Sequence, residues 1–249
     1  VCARLMAKAA EEVYMVSPET AKLLALKESI LKESPGARLF LSAQADKDIA
    51  EMDMIVTATS GAGKKVLDIM KVKPGCVITD VARPLDLPAE EVAKRPDVLV
   101  IESGEIQLPG NVEMKNIGLP KGVAYACLAE TIVLALEGRF ENFTVGRAIE
   151  WEKVREIYKL GIKHGMKLAE ISGVNGPFSD EDIQRVRELA LVAAMAVQPS
   201  TSAREMQPRA SINPMQPSTR STLDASPSKP APMNAPSEPG RFLALLTPS

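Results

Sequence analysis

Met54-Ile55-Val56-Thr57-Ala58, followed one residue later by Ser60-Gly61-Ala62-Gly63, is an apolar run of strand length that ends in a turn of small residues. The run is continuously apolar rather than alternating, the pattern of a strand covered on both faces and therefore of a parallel sheet. Ligands of open α/β sheets bind just past such strand ends. Working outward, Val13-Tyr14-Met15-Val16 is a second short apolar run. Ser17-Pro18 then supplies a helix cap and a proline at the first helical position, with the helix reaching Glu33. Ser34-Pro35-Gly36 turns the chain into a strand at Arg38 to Leu41, and Lys47 to Met52 has the spacing of a short polar-faced helix. Downstream the alternation continues: a helix near Val66 to Met70, a strand Cys76 to Thr79, a helix near Ala89 to Lys94 and a strand Val98 to Ile101. The fold class expected is α/β, a doubly wound, Rossmann-type, mostly parallel sheet.

The pattern changes after Gly122. Val123 to Leu136 is expected to be one long apolar helix stopped by Gly138, and Ile149 to His164 a second with Gly165 as its cap. A third, amphipathic helix runs from Ser179 to about Val197, with Ile183, Val186, Leu189, Ala190 and Ala193 on one stripe. Residues 199–249 carry about half of the chain's 19 prolines among Ser, Thr, Met and Asn. Such a composition predicts a disordered tail, with the patch Phe242 to Leu246 left without a role. The organisation read from the sequence is a partial dinucleotide-binding domain over residues 1–120, helices packing on it over 121–197, and a disordered Pro/Ser-rich tail over 198–249.

At the other end, Val1, Cys2, Leu5, Met6 and Ala9 recur at helical spacing with no capping residue before them. The chain reads as opening inside the helix that follows the first strand of a dinucleotide fold. The strand and its glycine turn would then precede Val1. On that reading the inner position of the sheet is empty, two strand edges are bare, and the amides that hold a pyrophosphate are missing. The chain by itself would then bind cofactor poorly and be inactive.

Composition narrows the chemistry. In 249 residues the net charge is −2, with no basic stripe, so nucleic-acid binding is not expected. No apolar run approaches the roughly 20 residues of a membrane span, and no signal peptide is visible, so a cytoplasmic protein is expected. Cys2, Cys76 and Cys127 have no C-x-x-C spacing and His164 is the single histidine, so neither a disulfide framework nor a metal site is indicated. His164 stands before Gly165 at a helix end, where capping explains it. Lys64, Lys65, Lys71 and Lys73 read as a solvated face or as an attraction for an acidic partner.

Cys127 lies near a helix start, where free amides and the helix dipole favour a thiolate. The alternative is a buried packing cysteine. The surrounding residues, Ala126-Cys127-x-Ala129-Glu130, then Glu137-Gly138, Asn142-Phe143 and Gly146-Arg147, resemble the C-terminal part of long-chain fatty acyl-(acyl carrier protein) reductases. The resemblance extends through His164-Gly165 and back through Asp80 and Gly104, covering roughly residues 1–170. It implies that Cys127 takes the acyl group as a thioester, from acyl carrier protein or acyl-CoA, and that NADPH reduces it to a fatty aldehyde. Two departures stand out: Pro18 occupies a position where the family has an arginine, and the region preceding the nucleotide domain is absent. The cofactor residues expected are Ser17 and Lys22 after the second strand, Thr57, Ala58 and Thr59 at the end of the next, and Gly104. NADPH is favoured over NADH because no acidic residue occupies position 17, although Glu19 is close. The alternatives are a dehydrogenase of a hydroxy or amino acid, in which Cys127 is inert, and a non-catalytic fragment.

Overall fold

A computed structural model describes residues 1–59, 65–146, 149–197 and 240–246. After a short helix α1 (Cys2–Met6), the chain enters β1 (Glu12–Val16), α2 (Thr20–Glu33) and β2 (Arg38–Ser42). It continues through β3 (Met54–Ala58), β4 (Val77–Asp80), α3 (Ala89–Val92) and β5 (Leu99–Glu102). The expected helices over Lys47–Met52 and Val66–Met70 contract to 3₁₀ turns at Ala45–Lys47, Ile49–Glu51 and Ile69–Lys71. Each follows or precedes a strand too closely to complete an α-helix, yet each inserts one buried residue into the core: Ala45, Ile49 and Ile69. Ser17 is not the helix cap. Its hydroxyl accepts a hydrogen bond from the Glu19 amide at 3.2 Å, and α2 begins at Thr20.

The second half carries β6 (Glu105–Gln107), β7 (Val123–Tyr125), α4 (Ala126–Leu136), α5 (Trp151–Lys163) and β8 (Lys167–Leu168). Then come β9 (Ser172–Gly173), β10 (Gly176–Pro177), α6 (Asp180–Val197) and β11 (Arg241–Leu246). The long helix expected over Val123–Leu136 is thus a strand that turns directly into a helix. Val123 and Ala124 are buried in an antiparallel ladder with β6. β8 joins the other side of β6 to complete a three-stranded sheet. α6 opens with Ser179 and Asp182 bonded reciprocally, an amide of each to a side chain of the other. It crosses so near the Pro74-Gly75 turn that a Cβ on Gly75, whose φ is +84°, would lie 2.3 Å from the Ala190 amide nitrogen.

The main sheet has eight strands in the order β10-β9-β5-β4-β3-β11-β1-β2. From β5 to β2 all neighbours are parallel. The expectation of an empty inner position is therefore overturned, and so is the expectation that everything beyond residue 197 stays outside the fold. β11 occupies the gap, with Glu12 to Val16 opposite Arg241 to Leu245 on one side and Met54 to Ala58 opposite Phe242 to Leu246 on the other. The reason is local. A short apolar run between two parallel strands satisfies its own backbone and both facing edges, whatever the composition of the residues that lead to it.

β11 also contributes to the packing on both faces of the sheet. Phe242 and Ala244 join Val13, Met15, Leu39 and Val56 beneath α1 and α2. Leu243 joins Ile55, Ile78, Val100 and the residues of the 3₁₀ turns on the opposite face. Phe242, Leu243 and Ala244 are each at most 2% exposed. We expect Leu243→Ala to cost about 2–5 kcal/mol, in line with large-to-small changes in other cores. Urea unfolding measures this, and a loss near zero would mean that the strand is not part of the folded core in solution.

Candidate active site

The carboxyl ends of β3, β4 and β5 are tied together by one buried aspartate. Asp80, at the end of β4, accepts hydrogen bonds from the amides of Ala82 at 3.0 Å, Asp86 at 2.8 Å and Leu87 at 3.1 Å. These fold the Val81–Leu87 loop back over the strand end. Burial raises the Asp80 carboxyl above its ordinary value of 3.8, against the opposing pull of the amide donors. The Thr57 hydroxyl lies close enough to favour the ionised carboxyl, yet makes no hydrogen bond of good geometry. Asp86 in turn accepts from the Thr59 amide at 2.9 Å and the Thr59 hydroxyl at 2.5 Å.

Arg83 projects from the same loop toward the second sheet. Its guanidinium donates to the Ala82 and Ser103 carbonyls, faces Glu105 at 3.6 Å, and lies 5.8 Å from the centre of the Tyr125 ring. Tyr125 is the residue before α4. Gly104, with φ of +89°, gives its carbonyl to the Ala126 amide at 2.7 Å. The β5-to-β6 turn and the Arg83 loop therefore fix the point at which α4 begins. Glu102 beside them has its carboxyl raised by burial, a shift that Arg83 opposes.

Cys127 is the second residue of α4 and is exposed. Among the described residues no side chain caps that end of the helix. Cys127 lines an apolar groove of about 390 Å³ between α4 and α5, together with Ile106, Met166 and Leu168. Val133, Val154, Ile157 and Ile162 form its walls. Glu130, one turn after Cys127, lines the groove and holds the following loop by accepting from the amide and hydroxyl of Thr144.

The other cysteines differ. Cys76 is fully buried and burial pushes its thiol up to about 12, so it is inert packing. Cys2 is exposed at the start of α1, away from the groove. His164 directly follows the last residue of α5, but its ring meets the Glu137 side chain rather than the helix carbonyls, as does Lys163 at 2.6 Å, which ties the end of α5 to the end of α4. Hydrogen bonds to Lys163 first, and then to the His164 ring, hold the Glu137 carboxyl below its ordinary value.

The expected cofactor residues lie along the carboxyl edge of the sheet, but their polar groups are engaged within the protein. Ser17 is bonded to Glu19, Lys22 pairs with Glu19 at 2.8 Å, Thr57 is buried and Thr59 is bonded to Asp86. Ala58 faces Leu246 in the β3–β11 ladder, and no atom lies within 4 Å of where a Gly104 Cβ would stand. Among the described residues no glycine turn leads from a strand of the main sheet into a helix, so these residues do not by themselves form a pyrophosphate seat; Gly61 and Gly63 lie outside them. Of the lysines considered for an acidic partner, Lys65 pairs with Glu91 and Asp68, Lys71 with Asp46, and Lys73 with Asp53. Lys64 lies outside the described residues. No metal-binding cluster occurs among the described residues, and no helix there is long and apolar enough to cross a membrane.

The sequence singles out Cys127 but not its surroundings. Arg83 and Tyr125 carried no signal, because they meet across 42 residues of chain only when both sheets are in place. Glu130 was within the quoted motif without an assigned role. The α5 wall was legible as the apolar spacing of Val154, Ile157 and Ile162, although not as a wall facing a thiol.

No family model matches the chain. It is 37% identical over 140 residues to an aminotransferase, PigE, of Serratia sp., covering 55% of this chain and 16% of that protein. It is 26% identical over 125 residues to the long-chain acyl-[acyl-carrier-protein] reductase of Synechococcus elongatus, covering 48% of this chain and 36% of that one. Both relatives are enzymes by name, and the chain spans only a minor part of each.

Two measurements check the site. Under native conditions a thiol reagent should modify Cys127 and Cys2 while Cys76 reacts only after unfolding; equal reactivity of all three would contradict the burial. Because the folded Asp80 carboxyl titrates above 3.8, its contribution to stability is greatest at low pH and declines as pH rises through the folded value. The stability difference between the parent and Asp80→Asn should therefore shift against the parent across that window, as read by urea midpoints at stepped pH.

Proposed function

We propose that this chain carries the acyl-accepting part of an acyl-thioester reductase, with Cys127 as the nucleophile. The observation that supports the reading best is the exposed thiol at an uncapped helix start on the rim of an apolar groove. The partial similarity to an acyl-carrier-protein reductase points the same way. In the acyl transfer, the Cys127 thiolate attacks the thioester carbonyl, the carbon–sulfur bond to the carrier breaks, and the carrier leaves as a thiol that takes up the proton. The helix amides favour the attacking anion, and the apolar groove receives the hydrocarbon chain and keeps water from the new thioester.

Acyl carrier protein or acyl-CoA is the proposed donor. The order β2-β1-β11-β3-β4-β5 is the 3-2-1-4-5-6 order of doubly wound dinucleotide folds, with β11 in place of the first strand. This supports the Rossmann-type reading and a nicotinamide cofactor, NADPH in preference, which would supply the hydride that releases an aldehyde. The chain's own residues account for the acyl transfer. The PigE similarity names a different activity, in a protein of which this chain covers 16%, and amino-group transfer has no need of an acyl-accepting thiol.

Acyl transfer can be tested without any cofactor. Incubation with an acyl-(acyl carrier protein) or acyl-CoA should leave a hydroxylamine-labile acyl group on Cys127, seen by mass spectrometry. Cys127→Ser should lose at least about 100-fold of that labelling, the scale of a lost covalent catalyst, while Cys2→Ser retains it. Undiminished labelling in Cys127→Ser would refute the assignment.

A further inference from the structure

The position between β1 and β3 is filled by a strand from far along the chain, joined to α6 only through residues 198–239. Sheet neighbours of β11 belong to residues 1–59, so the slot is formed by one part of the chain and filled by another. The contacts at the entry of the slot are specific. Asp53 accepts the Arg241 amide at 2.6 Å, the Asp53 amide donates to the Arg241 carbonyl at 2.9 Å, and the Glu11 amide donates to the Gly240 carbonyl at 3.0 Å. The Arg241 guanidinium meets Glu12 at 3.1 Å and Glu51 at 3.1 Å. Glu12 is a buried carboxylate shared with Arg38 and the Tyr14 hydroxyl, so removing Arg241 takes away one of its two cations. Past the entry the slot takes Phe242 and Ala244 on one face and Leu243 on the other.

We propose that the β1–β3 slot is a peptide-strand binding site that selects an arginine followed by apolar residues, and that the Arg241–Leu246 segment of a second copy of this chain can fill it. Recognition is by strand addition on both edges at once. Main-chain hydrogen bonds supply affinity, while the acidic entry and the two apolar faces supply selectivity. Within one molecule the segment is covalently joined to the slot, so the chain's own strand prevails in dilute solution. Concentrated protein should exchange strands between copies, because the segment binds the same slot whichever chain bears it. Nothing in this rests on the chemistry of Cys127.

The test uses the full chain with a specific protease site inserted within residues 198–239, folded and then cut. A fluorescent peptide of residues 240–249 should bind the cut protein saturably, and the same peptide with Arg241→Glu should bind at least about tenfold more weakly, as expected for losing a charge-assisted contact. Two differently tagged uncut chains, incubated together at high concentration, should form mixed dimers that Arg241→Glu in both chains diminishes. Precipitation of the body on cutting, absence of peptide binding, or equal binding of the Arg241→Glu peptide would overturn the proposal. Peptide binding without any mixed dimer would remove the second copy as an occupant and overturn it in that respect.

Discussion

An inner strand of a parallel sheet has to satisfy two rows of backbone groups and cover part of two apolar layers at the same time. In this protein the Arg241–Leu246 segment does so. Without it the amides and carbonyls of β1 and β3 would face each other across a gap too wide to bond, and both layers would lose their middle. Everything else follows from that closure. Among the described residues β3, β4 and β5 join the ladder of β1 through β11, and β4 carries at its carboxyl end the Asp80 loop from which the site is built.

From there the order passes outward through polar contacts. Asp80 pins the loop that bears Arg83; Arg83 reaches Ser103, Glu105 and Tyr125; Gly104 takes the first amide of α4. The Asp80 link is local, whereas those from Arg83 and Gly104 join residues about twenty or more positions apart; together they leave little freedom at the start of α4. The start of α4, and with it Cys127 on the groove lining, is consequently held in place. The Glu137 contacts with Lys163 and His164 close the far ends of the same two helices, and Glu130 holds the loop between them through Thr144.

The contrast between Cys127 and Cys76 shows how environment separates one residue type into two roles. Cys76 sits in the main core, where burial suppresses its ionisation. Cys127 sits on a surface lined by apolar side chains that no other described element covers. A core thiol contributes packing, whereas a rim thiol beside an open apolar groove can react and can be reached.

Local periodicity was enough to reveal the α/β alternation, the strands at Val13–Val16 and Met54–Ala58, helix α5, and the capped start of α6, because those signals depend on neighbours within a few residues. The strand at Val123–Tyr125 was read as helix, since an apolar run entering a helix keeps no period of its own until a partner strand pairs with it. The role of Phe242–Ala244 was invisible for a related reason: a composition average over residues 199–249 describes whether that stretch can fold alone, not whether six of its residues fit between two distant strands. Arg83, Tyr125 and the α4–α5 groove belong to the same class. Sequence determined the α/β alternation and the helices whose period and caps are local; tertiary structure decided which strand fills the centre of the sheet and what surrounds Cys127, because those depend on contacts between residues that the chain itself keeps far apart.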